Sequence, residues 1–148
     1  MAKEVLGERL ALNLKRFYPV APEKVWHAWT DPRALAQWFR PDASFTVPVA
    51  ETDLRVGGRF RVQSWMPSGE HNSVSGTYSE IVPNEKLVFS WAWQSTPERV
   101  SQVTIGFKPD GDGTMLTLTH EQFADEMARD NHTRGWSMAL DNLEKVFP

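Results

Sequence analysis

Strand-length apolar runs separated by short turns fill the middle of the chain, and they constrain its fold more than any other feature. The turn Pro83-Asn84-Glu85 has three residues, whereas a connection between parallel strands needs about a dozen or more. Neighbouring runs therefore pair antiparallel, and the sequence predicts a meander. Its predicted strands occupy residues 45–49, 58–66, 74–82, 86–93, 100–108 and 114–121.

Ahead of this meander the sequence predicts one more strand and two short helices. Leucines alternate with smaller or polar residues in 10–14, which is the period of a strand with one buried face. Pro22 suits the first position of a helix over 22–30, and Asp31 suits the cap of a second helix. Pro41 is expected to end that second helix.

A long amphipathic helix is predicted near the C-terminus, over residues 125–147. Trp136, Leu140 and Leu143 recur along one side of it, with His132 one turn earlier. An antiparallel sheet with one solvated face must cover the other face, and only this helix is long enough to do so. The order of elements predicts an α+β fold, and no repeat or linker divides the 148 residues into more than one domain.

Composition argues against several kinds of partner. The net charge of −3 does not suit the phosphate-neutralising surface that nucleic-acid binding requires. No run approaches the roughly 20 apolar residues of a membrane span, and no cleavable leader is recognisable at the N-terminus. Without cysteine the chain has no disulfide framework. These features predict a cytoplasmic protein.

Motifs for metal, cofactor or covalent chemistry are missing from the sequence. The four histidines show no HxH, HxxxH or HExxH arrangement, so we expect no metal site. The glycines form neither a P-loop nor a dinucleotide fingerprint, and there is no G-x-S-x-G elbow. We therefore expect no cofactor.

Short motifs spread over residues 10–147 resemble a known family. They are APEKVWHAWTDP at 21–32, WF at 38–39, DLRVGG at 53–58, GTY at 76–78, EIVP at 80–83, LTHE at 118–121 and GW at 135–136 with Leu140. These motifs resemble the bacterial domains similar to the activator of the Hsp90 ATPase. That family lies in the START-like (SRPBCC) superfamily of polyketide cyclases, lipid-transfer domains and plant allergens.

The resemblance implies a helix-grip fold. In this fold a curved antiparallel sheet, with two short helices after its first strand, wraps around a long C-terminal helix. The resemblance also implies a deep cavity between the sheet and that helix. It implies no particular reaction, because one fold hosts both binders and enzymes.

Large inward side chains are the candidates for lining such a cavity. Leu87, Phe89, Trp91 and Trp93 share one face of a predicted strand, and the chain has seven tryptophans. So many rings are difficult to pack without leaving a void, although a filled core is the open alternative. The predicted ligand-binding residues are Phe60, Val62, Tyr78, Phe89, Trp91, Trp93, Phe107, Leu118, His120, His132, Trp136 and Leu140.

Two of these candidates are histidines with two interpretations each. His120 shares a strand face with Leu116 and Leu118, and it is the inward group expected to titrate near neutrality. A buried histidine is ordinarily satisfied by hydrogen bonds within the protein, whereas an imidazole facing a cavity can donate to a ligand oxygen. His132 carries the same two interpretations.

These observations leave three functions open. The first is a non-enzymatic module that binds an apolar or aromatic small molecule between the sheet and the C-terminal helix. The second is a cyclase- or dehydratase-type enzyme in which His120, Tyr78 or Glu80 moves protons on a polyketide-like substrate. The third is a chaperone partner of the Hsp90 type that acts through its outer surface. We predict the first function and leave the choice between monomer and homodimer open.

Overall fold

Strands and helices follow the predicted order along the part of the chain that the computed structural model describes, residues 10–40 and 44–147. The bounds move by a few residues from the predicted ones; the fourth strand, for example, begins at His71 rather than at Val74. The elements are β1 (Leu12–Tyr18), α1 (Pro22–Thr30), α2 (Pro32–Trp38), β2 (Thr46–Thr52), β3 (Arg59–Trp65), β4 (His71–Val82), β5 (Lys86–Trp93), β6 (Ser101–Asp110), β7 (Gly113–Glu121) and α3 (Glu126–Val146).

One antiparallel sheet holds these strands in the order β1-β7-β6-β5-β4-β3-β2. Strands β2 to β7 form the predicted meander, and β1 extends it by pairing with β7. Register shifts between Thr46 and Val49 and between Tyr78 and Glu80 mark β-bulges, which bend the strands that carry them. The sheet curls into a half-barrel around the C-terminal helix, which confirms the predicted helix-grip fold.

The two short helices form where local chemistry favours them. Prolines stand in the first turn of α1 and of α2, and the Asp31 side chain accepts the Ala34 N–H at 3.0 Å, which caps α2 as predicted. Helix α2 ends at Trp38, whose indole N–H donates to the Ala28 carbonyl of α1 at 2.9 Å. This bond ties the two helices together. Pro41, the predicted end of the second helix, lies outside the described residues.

Helix α3 packs on the concave face of the sheet. Its buried residues are Trp136, Ala139, Leu140 and Leu143, which confirms the predicted apolar side. The Tyr18 hydroxyl of β1 donates to the Leu140 carbonyl at 2.9 Å, so the first strand and the last helix are joined within the core. Among the described residues no helix, α3 included, is long and apolar enough to cross a membrane.

Candidate functional site

A cavity of about 310 Å³ lies between α3 and strands β3, β4 and β5. The two residues that follow α2 complete its wall. The lining residues are Phe39, Arg40, Val62, Ser64, Asn72, Val74, Trp91, Trp93, Asn131, His132, Gly135, Trp136 and Ala139. Each strand contributes residues two positions apart, because alternate side chains of a strand point to the same face.

The cavity is open because α3 presents small side chains to this part of the sheet. Asn131, Gly135 and Ala139 follow one another at intervals of four residues and therefore lie on one side of the helix. A Cβ atom placed on Gly135 would have no neighbouring atom within 4 Å, so this position borders free space. A larger residue here would fill part of the cavity.

Trp91 lies at the centre of an aromatic floor. Its ring centroid is 5.0 Å from that of Trp136, 5.5 Å from that of Trp93 and 5.8 Å from that of Phe39. These separations are typical of tilted and edge-to-face aromatic pairs. The Trp91 indole N–H is buried and has no acceptor among the described residues. The floor is therefore apolar ring surface, and the Trp91 N–H is buried away from it.

The polar residues of the wall lie nearer the surface and form its rim. Asn72 and Asn131 are exposed, whereas Arg40, Ser64 and His132 are half-buried. An apolar floor below a polar rim makes the cavity amphipathic. It suits a molecule whose apolar body is buried while a polar end stays close to water.

His120 lies beside this floor, and its hydrogen-bonding capacity is fully used. The Trp136 indole N–H donates to Nδ1 at 3.0 Å, so the imidazole proton is on Nε2. Nε2–H lies 2.7 Å from Ser101 Oγ and donates to it, and that hydroxyl donates to the Trp91 carbonyl at 3.2 Å. These neighbours fix one neutral tautomer.

The expectation that His120 titrates near neutrality is wrong. Burial deprives the imidazolium of water and lowers the pKa of His120 to about 2, with a smaller contribution from His132. Protonation of Nδ1 would also turn a hydrogen-bond acceptor toward the Trp136 N–H into a second donor. His120 is therefore the satisfied buried histidine of the two interpretations.

His132 repeats this arrangement at the cavity wall with the opposite tautomer. Its Nδ1–H donates to the Ala128 carbonyl at 2.7 Å, and its Nε2 accepts the Trp93 indole N–H at 2.9 Å. Burial lowers the pKa of His132, and the bond to Ala128 opposes that shift in part. His132 thus gives the cavity a neutral wall. Within the described ranges, no three His, Asp or Glu side chains are grouped to hold a metal ion.

The predicted ligand-binding residues fall into three groups in the structure. The wall of the cavity contains Val62, Trp91, Trp93, His132 and Trp136. A neighbouring void of about 20 Å³, which shares Val62 and Trp91 with the cavity, is lined by Phe60, Tyr78 and Phe89. The core outside both walls holds Phe107, Leu118, His120 and Leu140.

Sequence reasoning missed eight residues of the wall, most of them small or polar. They are Phe39, Arg40, Ser64, Asn72, Val74, Asn131, Gly135 and Ala139. One available signal was strand alternation, which places Ser64 on the same face as Val62. Another was the four-residue spacing of Asn131 and Gly135 on the predicted helix. Arg40 had no such signal, because its position depends on how the segment after α2 packs.

A family model described as Activator of Hsp90 ATPase homolog 1-like protein matches residues 19–148 of the chain. No curated protein matches the chain. The chain is similar to a solved structure from Chromobacterium violaceum, with 29% identity, a TM-score of 0.84 and coverage of 93% of this chain and 96% of that one.

Two further solved structures have the same fold. A protein from Nitrosomonas europaea is 26% identical with a TM-score of 0.81, and the match covers 95% of each chain. A protein from Silicibacter pomeroyi that bears the family's name is 27% identical with a TM-score of 0.80, covering 92% of this chain and 96% of that one. The likeness therefore extends over nearly the whole length of each protein.

Proposed function

The chain belongs to the family described as Activator of Hsp90 ATPase homolog 1-like protein, and we propose that it binds an apolar or aromatic small molecule in the cavity between the sheet and α3. The observation that carries this proposal is the 310 Å³ cavity with its aromatic floor. Small-molecule sites are typically cavities of about 300–1,000 Å³ lined by apolar and aromatic side chains. A chain without cysteine suits a reducing compartment, so we place this binding in the cytoplasm.

The free energy for such binding comes from the exposed aromatic surface of the cavity. Protein interiors are normally filled to the density of organic crystals, and this space is not. A molecule that covers apolar surface gains about 25 cal/mol for each Å² removed from water. Part of this gain is lost to the cost of association, which leaves affinities on the order of micromolar for a ligand of two or three rings.

The residues suggested for cyclase or dehydratase chemistry are poorly placed to perform it. His120 is neutral, and both of its ring nitrogens are hydrogen-bonded. Burial raises the pKa of Tyr78, so its phenol keeps the proton. Glu80 is exposed and lies 3.3 Å from Lys86 Nζ. None of these three lines the 310 Å³ cavity. We therefore favour binding over catalysis.

Titration with the neutral fluorophore N-phenyl-1-naphthylamine tests the proposal. We expect quenching of tryptophan fluorescence, because three tryptophans line the cavity, and a dissociation constant on the order of micromolar to tens of micromolar. Gly135→Leu should weaken this binding at least about tenfold, since its side chain enters the free space. Met138→Leu, on the same helix but exposed, is the matched control and should bind normally.

Thermal unfolding of each variant establishes that it is folded before binding is compared. If the folded wild-type protein leaves the fluorophore unbound, the cavity is not a ligand site. A role through the outer surface, such as that of a chaperone partner, would then be the better account. Equal binding by wild type and Gly135→Leu would show that the fluorophore binds elsewhere.

A further inference from the structure

We propose that the ligand of this cavity carries a carboxylate or a similar anionic group on its apolar or aromatic body. This inference rests on the proposed function and adds the chemical class of the ligand. Its main support is one charged side chain in the rim, and two neighbouring features of the wall agree with it.

Arg40 is the one formal charge among the described residues that line the cavity. No carboxylate of residues 10–40 and 44–147 forms a salt bridge with Arg40. Seven other salt-bridge pairs are present within these ranges. A half-buried guanidinium with no carboxylate partner among the described residues favours an anion at the rim.

The position of Arg40 is fixed before any ligand arrives. Its carbonyl accepts the Asn142 side-chain amide of α3 at 2.6 Å, and its Nη1 donates to the Phe45 carbonyl at 2.8 Å. A guanidinium has five N–H donors, and the side-chain contact to Phe45 uses one of them. Within residues 10–40 and 44–147 this is the one acceptor bonded to the guanidinium, so its other donors suit a carboxylate at little cost in side-chain entropy.

The neighbouring polar groups are neutral and can donate hydrogen bonds to an anion, since Ser64 and Asn72 of the rim both donate and accept. Asn131 Oδ1 accepts a hydrogen bond from the Arg134 guanidinium, which leaves the Asn131 NH₂ group for a ligand. Both ring nitrogens of His132 are used. With no Asp or Glu in the described wall, an ammonium group would meet no counter-charge here.

The location of the charge decides between an anion at the floor and an anion at the rim. A carboxylate buried against the tryptophans would lose its hydration, whereas one at the half-buried rim keeps part of it and gains the guanidinium. The favoured ligand therefore places its rings on the floor and its carboxylate beside Arg40.

A matched pair of ligands tests this with the unmodified chain. Naphthalene-2-carboxylate and naphthalene-2-carboxamide have nearly the same shape and differ in charge. We expect the wild-type protein to bind the carboxylate about tenfold more tightly than the amide at low ionic strength, measured by tryptophan quenching at pH 7. Because this comparison needs no variant, it remains valid whatever the stability of the Arg40 variants.

Two substitutions then assign the preference to Arg40. Arg40→Gln should abolish the preference for the carboxylate, so that the ratio of the two dissociation constants falls to about one. Arg40→Lys should keep most of the preference, since it retains the charge. A preference that survives in folded Arg40→Gln would overturn the assignment.

The inference and the proposed function fail in different ways. Tight binding of the amide and of N-phenyl-1-naphthylamine without preference for the carboxylate would refute the anionic ligand and leave the cavity as a site for neutral molecules. Failure of all three probes to bind would refute the proposed function itself.

Discussion

The two halves of the space beneath the sheet differ in how completely they are filled. Under β6 and β7 the inward residues include the aliphatic Ile105, Leu116 and Leu118, which have no exposed surface. Under β3 to β5 the inward residues include Trp91 and Trp93, and a cavity of about 310 Å³ remains. Both halves share the same sheet and the same helix, so the difference arises from the side chains.

Helix α3 produces this difference through two neighbouring sets of residues. Leu140 and Leu143 have no exposed surface and belong to the continuous core. Gly135 and Ala139 line the cavity. In addition, Trp26 of α1 packs on Phe107 of β6, with ring centroids 5.3 Å apart, which adds a second cover to the filled half. A cavity results here because small helix residues lie opposite aromatic strand residues and leave the space between them unfilled.

The largest expected effect on stability comes from a substitution in the filled half. Leu140→Ala should lower the free energy of unfolding by about 3 kcal/mol, because it deletes methyl and methylene groups from a site with no free space around it. Val74→Ala, at the cavity wall, should cost about 1 kcal/mol or less, since fewer contacts are lost. Urea denaturation followed by circular dichroism measures both. Equal losses would mean that the cavity half is packed as tightly as the other half.

The next effect is the pH dependence of the free energy of unfolding, which depends on His120 at the boundary between the two halves. The pKa of His120 is about 2 in the folded protein and about 6.5 when unfolded, so the unfolded state binds more protons between these values. The stabilising contribution is complete above pH 6.5 and is lost as the pH falls. We expect a loss of about 2 kcal/mol between pH 6.5 and pH 5, with His132 acting in the same direction.

Urea denaturation across this pH range measures the loss, and His120→Gln is the control. Glutamine keeps a donor and an acceptor for Ser101 and Trp136 but does not titrate. The variant should therefore show a shallower dependence of unfolding free energy on pH, whatever its absolute stability. The same slope in both proteins would show that His120 is not held neutral by the fold.

The smallest effect concerns the helix residue that opens the cavity. Gly135→Ala should raise the free energy of unfolding by roughly 0.5–1 kcal/mol, because glycine in a helix interior is unfavourable and a Cβ atom here meets no neighbour. The same change should weaken binding of N-phenyl-1-naphthylamine slightly. Thermal denaturation and fluorescence titration measure the two effects. Destabilisation would mean that the position is not open and that α3 is packed tightly against both halves of the sheet.

Most of the fold could be predicted from local signals. The Asp31 cap and the apolar side of α3 depend on residues within one or two turns, and both are confirmed. Strand alternation likewise placed His120 inward with its leucine neighbours, as found. The pairing of β1 with β7 joins residues about a hundred positions apart in sequence, and no local pattern encodes it.

The candidate site was less predictable, for a physical reason. Alternation identifies inward residues but does not distinguish a filled region from a hollow one, so Leu118 and Trp91 looked alike. Which region is hollow depends on the small residues of a helix distant in sequence, Gly135 above all. The low pKa of His120 was also out of reach, because it follows from complete burial beside Trp136 and Ser101 rather than from residue type.

The paired tryptophan and histidine side chains have a consequence for proton movement. From Trp136 the hydrogen bonds run through His120 and Ser101 to a main-chain carbonyl, and from Trp93 they run through His132 to another. Each series begins at an indole, which does not release its proton near neutrality, and ends at an amide oxygen, which does not accept one. Neither series can conduct a proton between solvent and the interior. These two series therefore neither give a proton to a molecule held against the aromatic floor nor take one from it.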